Sequence, residues 1–156
     1  MQTNFVKLCL FWGAVIWSFA PIAHAQSLDQ QARCAQQAAR AFAELDAENR
    51  ADMQKMGTGR SRISGDYQSH YNVKLGKCLM FVETTDMLGA QFVTSAYVRD
   101  AYERRQYATY VWMSSDVKKY WEVPPIACEV RPSLHDKRLC KTREEFDELA
   151  APYMEE

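Results

Sequence analysis

The chain has 156 residues, of which 47% are hydrophobic and 25% charged, with a formal net charge of -1 at pH 7. That length suits one domain with a real core. The balanced charge argues against nucleic acid as the main partner, and no apolar run nears the ~18 residues of a membrane-spanning helix.

The N-terminus reads as an export leader. Lys7 supplies a short positive region, Leu8 to Trp17 an apolar one, Pro21 a break, and Ala23-His24-Ala25 an A-x-A cleavage site. Residues 1–25 are therefore expected to be removed, leaving 26–156 as a single disulfide-stapled domain. Lys7 is the only charge lost with the leader, so the rest of the chain stays close to neutral. The expected location is the periplasm or the exterior, with no membrane span once the leader is gone.

Cys9 lies in the leader, and Cys34, Cys78, Cys128 and Cys140 remain. An even count in an exported chain points to two disulfides, with three connectivities open. The pairing favoured here is Cys34–Cys78, clipping a helix to a sheet, and Cys128–Cys140, closing a local loop. No C-x-x-C and no zinc-knuckle spacing is present.

Cys34, Ala38, Ala41, Phe42 and Leu45 recur at helical spacing behind Ser27 and Asp29, which predicts a helix over about 28–47. The stripe weakens towards Met53 and Met56. Residues 57–66, polar and glycine-containing, read as a solvated loop in which Arg60 and Arg62 stand ready for an anion. From Lys77 the texture becomes strand-like. Cys78, Met80, Val82 and Thr84 would face the helix, and Leu79, Phe81 and Glu83 the other side. Strands follow at Gln91 to Arg99 and Gln106 to Met113. Lys118 to Val123 reads as a short strand or ordered loop, and Ile126 to Val130 as an edge strand. Thr142 and Glu145 form a capping box, and Phe146, Leu149, Ala150 and Tyr153 set a helix over about 143–154. The expected fold is α+β: an N-terminal helix on a three- to four-stranded antiparallel meander, then a short C-terminal helix.

Chemistry is sparse. No G-x-S-x-G elbow, H-E-x-x-H or EF-hand loop occurs. His70 beside Ser69 is the one candidate general base, and a structural His70 at the entry to the first strand is the stronger reading. His70, His135, Asp136 and Asp66 make no ligand pattern, so neither metal nor cofactor is expected. Glu83, Asp86, Asp100 and Glu103 read as solvated charges rather than a catalytic pair. Lys137, Arg138, Lys141 and Arg143 form a basic run that usually marks a solvated face. Aromatic residues carry the clearest signal: Phe81, Tyr97, Tyr110 and Trp112 can share one sheet face if the register allows.

The assembled pattern has C-A-x-Q-A from Cys34, S-H-Y-N-x-x-L-x-K-C from Ser69 to Cys78, and D-A-Y-E-x-x-x-Y-A-x-Y from Asp100. A late cysteine pair and an E-F-x-x-L helix complete it. It resembles an uncharacterised family of small exported bacterial proteins with four cysteines. The resemblance implies an exported, disulfide-stapled domain and carries no activity with it. The leading expectation is a non-enzymatic binding or envelope accessory protein whose partner is an envelope protein or glycan. The alternative is a small hydrolase using His70 with a carboxylate or serine.

Overall fold

Two helices lie on opposite faces of a six-stranded antiparallel sheet in the computed structural model, which describes residues 22–57, 59–133 and 135–155. Helix α1 spans Ile22–Met56 and helix α2 Arg143–Met154. The strands are β1 (Arg60–Asn72), β2 (Lys77–Leu88), β3 (Gln91–Asp100), β4 (Gln106–Met113), β5 (Ala127–Val130) and β6 (Arg138–Leu139). Their spatial order follows the chain, so the sheet is the expected meander with more strands than the expected three or four. Of the expected leader, residues 1–21 lie outside the described residues and residues 22–25 belong to the start of α1.

The largest departure from expectation is β1. Residues 60–66 are not a loop but the first half of a strand of 13 residues. Composition hides it, because Gly59 and Gly65 flank a segment that buries almost nothing apolar. Alternation hides it too. A bulge between Arg62 and Ser64 inserts Ile63, so Arg62 and Gly65 both face α1. At Gly65 a side chain would crowd the backbone's neighbours: an added Cβ would lie 3.1 Å from Arg62 Nη1 and 3.6 Å from the Phe42 ring.

The same contact explains why α1 outruns its apolar stripe. Just beyond Leu45 the stripe is interrupted by Asp46, which meets Arg62, before Met53 returns it to the interior. Asp46 Oδ1 accepts a hydrogen bond from Arg62 Nη1 at 2.9 Å. On the other side of the guanidinium, Arg62 Nε donates to Asp86, which Arg60 also grips. Asp86 is only 1% exposed, so a solvated charge is ruled out for it; a buried carboxylate needs such partners. Gly57, at φ 59°, then closes the helix in the left-handed conformation that glycine tolerates best.

The two core layers follow sheet parity. Cys78, Met80 and Val82 pack with Cys34, Ala38 and Ala41 of α1, whose small side chains let the helix approach closely. Leu79, Ala96, Val98 and Tyr110 pack with Phe146, Ala150 and Tyr153 of α2. One disulfide serves each layer. Cys34–Cys78 joins α1 to β2 and Cys128–Cys140 joins β5 to the approach of α2, with Cα separations of 5.3 and 5.0 Å. Gln31 completes the α1 docking: its amide donates to the Tyr71 carbonyl at 3.0 Å and accepts from the Tyr71 N–H at 2.9 Å. That pairing occupies the free edge of β1 at one residue.

Among the described residues no helix is long and apolar enough to cross a membrane.

Candidate functional site

Three of the four aromatic residues singled out in the sequence lie on one face. Cross-strand pairs place Phe81 with Val98, Ala96 with Tyr110, and Thr94 with Trp112, all on the α2 side. Tyr97 pairs with Val82 and belongs to the α1 layer, so it does not join them. Tyr110 is buried under α2, while Phe81 and Trp112 are partly exposed. The face is therefore neither open nor fully covered. Phe146 of α2 takes its centre, with its ring 5.5 Å from that of Tyr110, and leaves the Trp112 end free.

A cleft of about 310 Å³ opens at that end. Tyr110 and Trp112 of β4 form its floor. The connection between β4 and β5 forms one wall, and the first turn of α2 forms the other. A single 3-10 turn, Tyr120–Glu122, replaces the short strand considered from sequence. It is held in place from below: Trp112 Nε1 donates to the Val123 carbonyl at 3.1 Å, and the Tyr120 ring sits 4.9 Å from that of Trp112. Pro124 and Pro125 stiffen the exit from the turn. The result is a held aromatic wall whose rings still meet solvent, Trp121 being 75% exposed and Tyr120 54%.

The opposite wall is polar. Thr142 caps α2, its hydroxyl accepting from the Glu145 N–H at 3.2 Å. Glu145 departs from the expected box by reaching one residue further back, to the Lys141 N–H at 2.7 Å. Arg143 spans the wall, donating to Glu83 at 2.7 Å and to Asp147 at 2.9 Å, with its guanidinium carbon 5.6 Å from the Tyr110 ring centre. Burial works against its charge, but the two carboxylates outweigh that and raise its pKa. Burial also pushes the Tyr110 phenol up to about 12, helped by the adjacent Tyr120 phenol. Glu144 is lowered by its own backbone N–H and by Thr142, so it stays ionised at the rim.

The basic run seen in the sequence is dispersed. Lys137 pairs with Glu129, Arg138 approaches Asp136 at 3.9 Å, and Arg143 is held as above. Among the described residues only Lys141 of the four makes no ion pair, and it lines the cleft.

His70 stands elsewhere. It pairs with Leu79 on the α2 face, whereas its neighbour Ser69 pairs with Met80 on the α1 face. The two side chains thus point to opposite sides of the sheet. His70 Nε2 is buried and has no hydrogen-bond partner among the described residues. The β1–β2 turn is held by Asn72, whose Oδ1 accepts from the Leu75 N–H at 3.0 Å. Leu75 in that turn is half-exposed. Asp100 is buried, accepting from the Tyr102 and Glu103 N–H groups in the β3–β4 turn, while Glu103 pairs with Lys77 at the surface. Among the described residues no three His, Cys, Asp or Glu side chains gather as a metal site.

No protein-family model, curated protein or solved structure matches this chain. The site must be read from its own geometry. The sequence singles out Tyr110 and Trp112, but not Tyr120 and Trp121, which line the same cleft. Their signal was present, since Tyr-Trp followed two residues later by Pro-Pro marks aromatic side chains on a stiff non-strand segment.

Proposed function

We propose that this is an exported, non-enzymatic binding or envelope accessory protein that makes its contact through the aromatic cleft beside the start of α2. The observation that carries the reading is the exposure of Tyr120 and Trp121 on a turn that Trp112 fixes through the Tyr120 ring and the Val123 carbonyl. Burying both rings against α2 would release apolar surface from water, at about 25 cal/mol per Å². A fold that holds such rings out and rims them with polar groups has the make-up of a binding surface. Export is supported by the A-x-A leader and by two disulfides, which persist in oxidising compartments. The resemblance to small exported four-cysteine proteins agrees with it.

Trp112 and Trp121 both line the cleft, so intrinsic fluorescence reports on it directly. Titration of the purified protein with fractionated envelope material should give a saturable change that Trp121→Ala removes. A ligand that binds wild type and Trp121→Ala equally well would place the contact surface elsewhere.

A further inference from the structure

We infer that the cleft takes a neutral glycan, a chain of pyranose rings without fixed charge. The inference rests on the cleft being the contact surface and names what fills it.

Two properties of the cleft point to this chemistry. The first is the combination of a ring-lined wall and a wall of mixed hydrogen-bonding groups. A pyranose presents a face of C–H groups that stacks on an aromatic ring, and a rim of hydroxyls that each donate and accept. The cleft offers Trp112, Tyr120 and Trp121 for the first. For the second it offers acceptors at Glu122 and Glu144, donors at Lys141 and Arg143, and the Thr142 hydroxyl. A ligand whose every polar group can pair either way suits such a set.

The second property is charge. Within the lining two cations, Lys141 and Arg143, face two carboxylates, Glu122 and Glu144, and Glu83 and Asp147 bind Arg143 through Nη1 and Nε. Across the aromatic wall, Lys119 lies 5.2 Å from the Trp121 ring centre, while the Glu122 carboxylate accepts from the Lys119 N–H at 2.9 Å. Neither sign dominates the lining, where Lys141 is a single cation without an ion pair among the described residues and two carboxylates stand beside it. An anionic membrane surface or a polyanionic cell-wall polymer is recognised by unopposed cations, and it would have to approach Glu122 and Glu144. A proline-rich peptide could use the rings, but its backbone offers only carbonyls at each proline, so it brings no further donor to either carboxylate.

The test is a fluorescence titration of the full protein with three probes. These are oligomers of β-1,4-linked glucose or N-acetylglucosamine, vesicles of phosphatidylglycerol, and a polyproline peptide. The inference expects a saturable response to at least one sugar series, growing with chain length and unchanged between low and high salt. Trp121→Ala and Tyr120→Ala, each folded by circular dichroism, should weaken it at least about tenfold, as loss of a central aromatic contact does. No saturable response to either sugar series overturns the inference. So does a response that both variants retain. Trp121-dependent binding of vesicles or polyproline, with none of sugar, overturns the glycan while leaving the cleft as the contact surface. Binding of any probe that is indifferent to both variants removes the cleft reading itself.

Discussion

The Asn72 side-chain amide sits 3.0 Å from the Pro152 carbonyl and 3.2 Å from that of Tyr153, so the end of β1 caps the end of α2. The last carbonyls of a helix have no partner within it, and a buried end needs one from outside. Asn72 supplies that partner from a residue far away in sequence while its own oxygen holds the β1–β2 turn. It is buried on both counts. Asn72→Ala should therefore cost about 2–3 kcal/mol, since it strands carbonyls at the helix end and a backbone N–H in the turn. Asn72→Asp should cost at least as much, because a carboxylate would face those carbonyls. Urea unfolding midpoints measure both. A loss below about 0.5 kcal/mol for each would reduce the contact to a surface detail.

The charge cluster between α1 and β1 should behave as a buried network. Removing Asp86 leaves two guanidiniums side by side, with only Asp46 opposite Arg62. Asp86→Ala is expected to destabilise by about 3–5 kcal/mol, as breaking a buried ion pair does. Replacing Arg60, which is more exposed, should cost clearly less. Chemical denaturation of the two variants gives the comparison, and equal losses would contradict this layout.

The two disulfides differ in the loops they close, with sequence separations of 44 and 12. Loop entropy gives about 4 kcal/mol for Cys34–Cys78 and about 3 kcal/mol for Cys128–Cys140. The paired Cys→Ala variants should rank in that order by thermal unfolding. Non-reducing peptide mapping should recover the same two pairs, and a crossed pairing would contradict the layered packing.

Much of the core was legible before the structure. Alternation around Cys78 to Val82 assigned both sheet faces, and the spacing of Phe146, Ala150 and Tyr153 assigned the inner face of α2. The remainder was hidden for physical reasons. The first half of strand β1 meets α1 through Arg62 and Gly65, with ring packing starting only at Tyr67 on Phe42, and its bulge breaks the period of two on which a strand is recognised. The register that sends Tyr97 to the α1 side and Tyr110 to the α2 side depends on pairing across strands, which no single strand reveals. The cleft joins a strand, a 3-10 turn and a helix start, brought together only when the sheet forms.

Alkaline unfolding should report on the cleft floor. The Tyr110 phenol titrates near its ordinary 10.0 when unfolded and at about 12 when folded. Its stabilising contribution is thus complete below pH 10.0 and is lost as pH rises towards about 12, because the unfolded state gives up the proton first. Burial raises Tyr97 and Tyr153 as well, so they add to the same slope. Tyr110→Phe should flatten part of the decline in melting temperature across that window. An unchanged slope would contradict the burial assigned to the Tyr110 hydroxyl.

His70 offers a further stability test. Its buried Nε2 lacks a partner among the described residues, so His70→Leu should be close to neutral or mildly stabilising. A loss above about 2 kcal/mol would reveal a hydrogen bond on which the fold depends.

The central claim is that Trp121 and Tyr120 form the contact surface, and oxidative footprinting tests it most directly. Tyr102, 60% exposed on the β3–β4 turn, provides an internal reference for the exposed aromatics. In the presence of envelope material, Trp121 and Tyr120 should lose reactivity while Tyr102 keeps its own. If Trp121 and Tyr120 remain as reactive as in the free protein while another surface becomes protected, the cleft is not where this protein meets its partner.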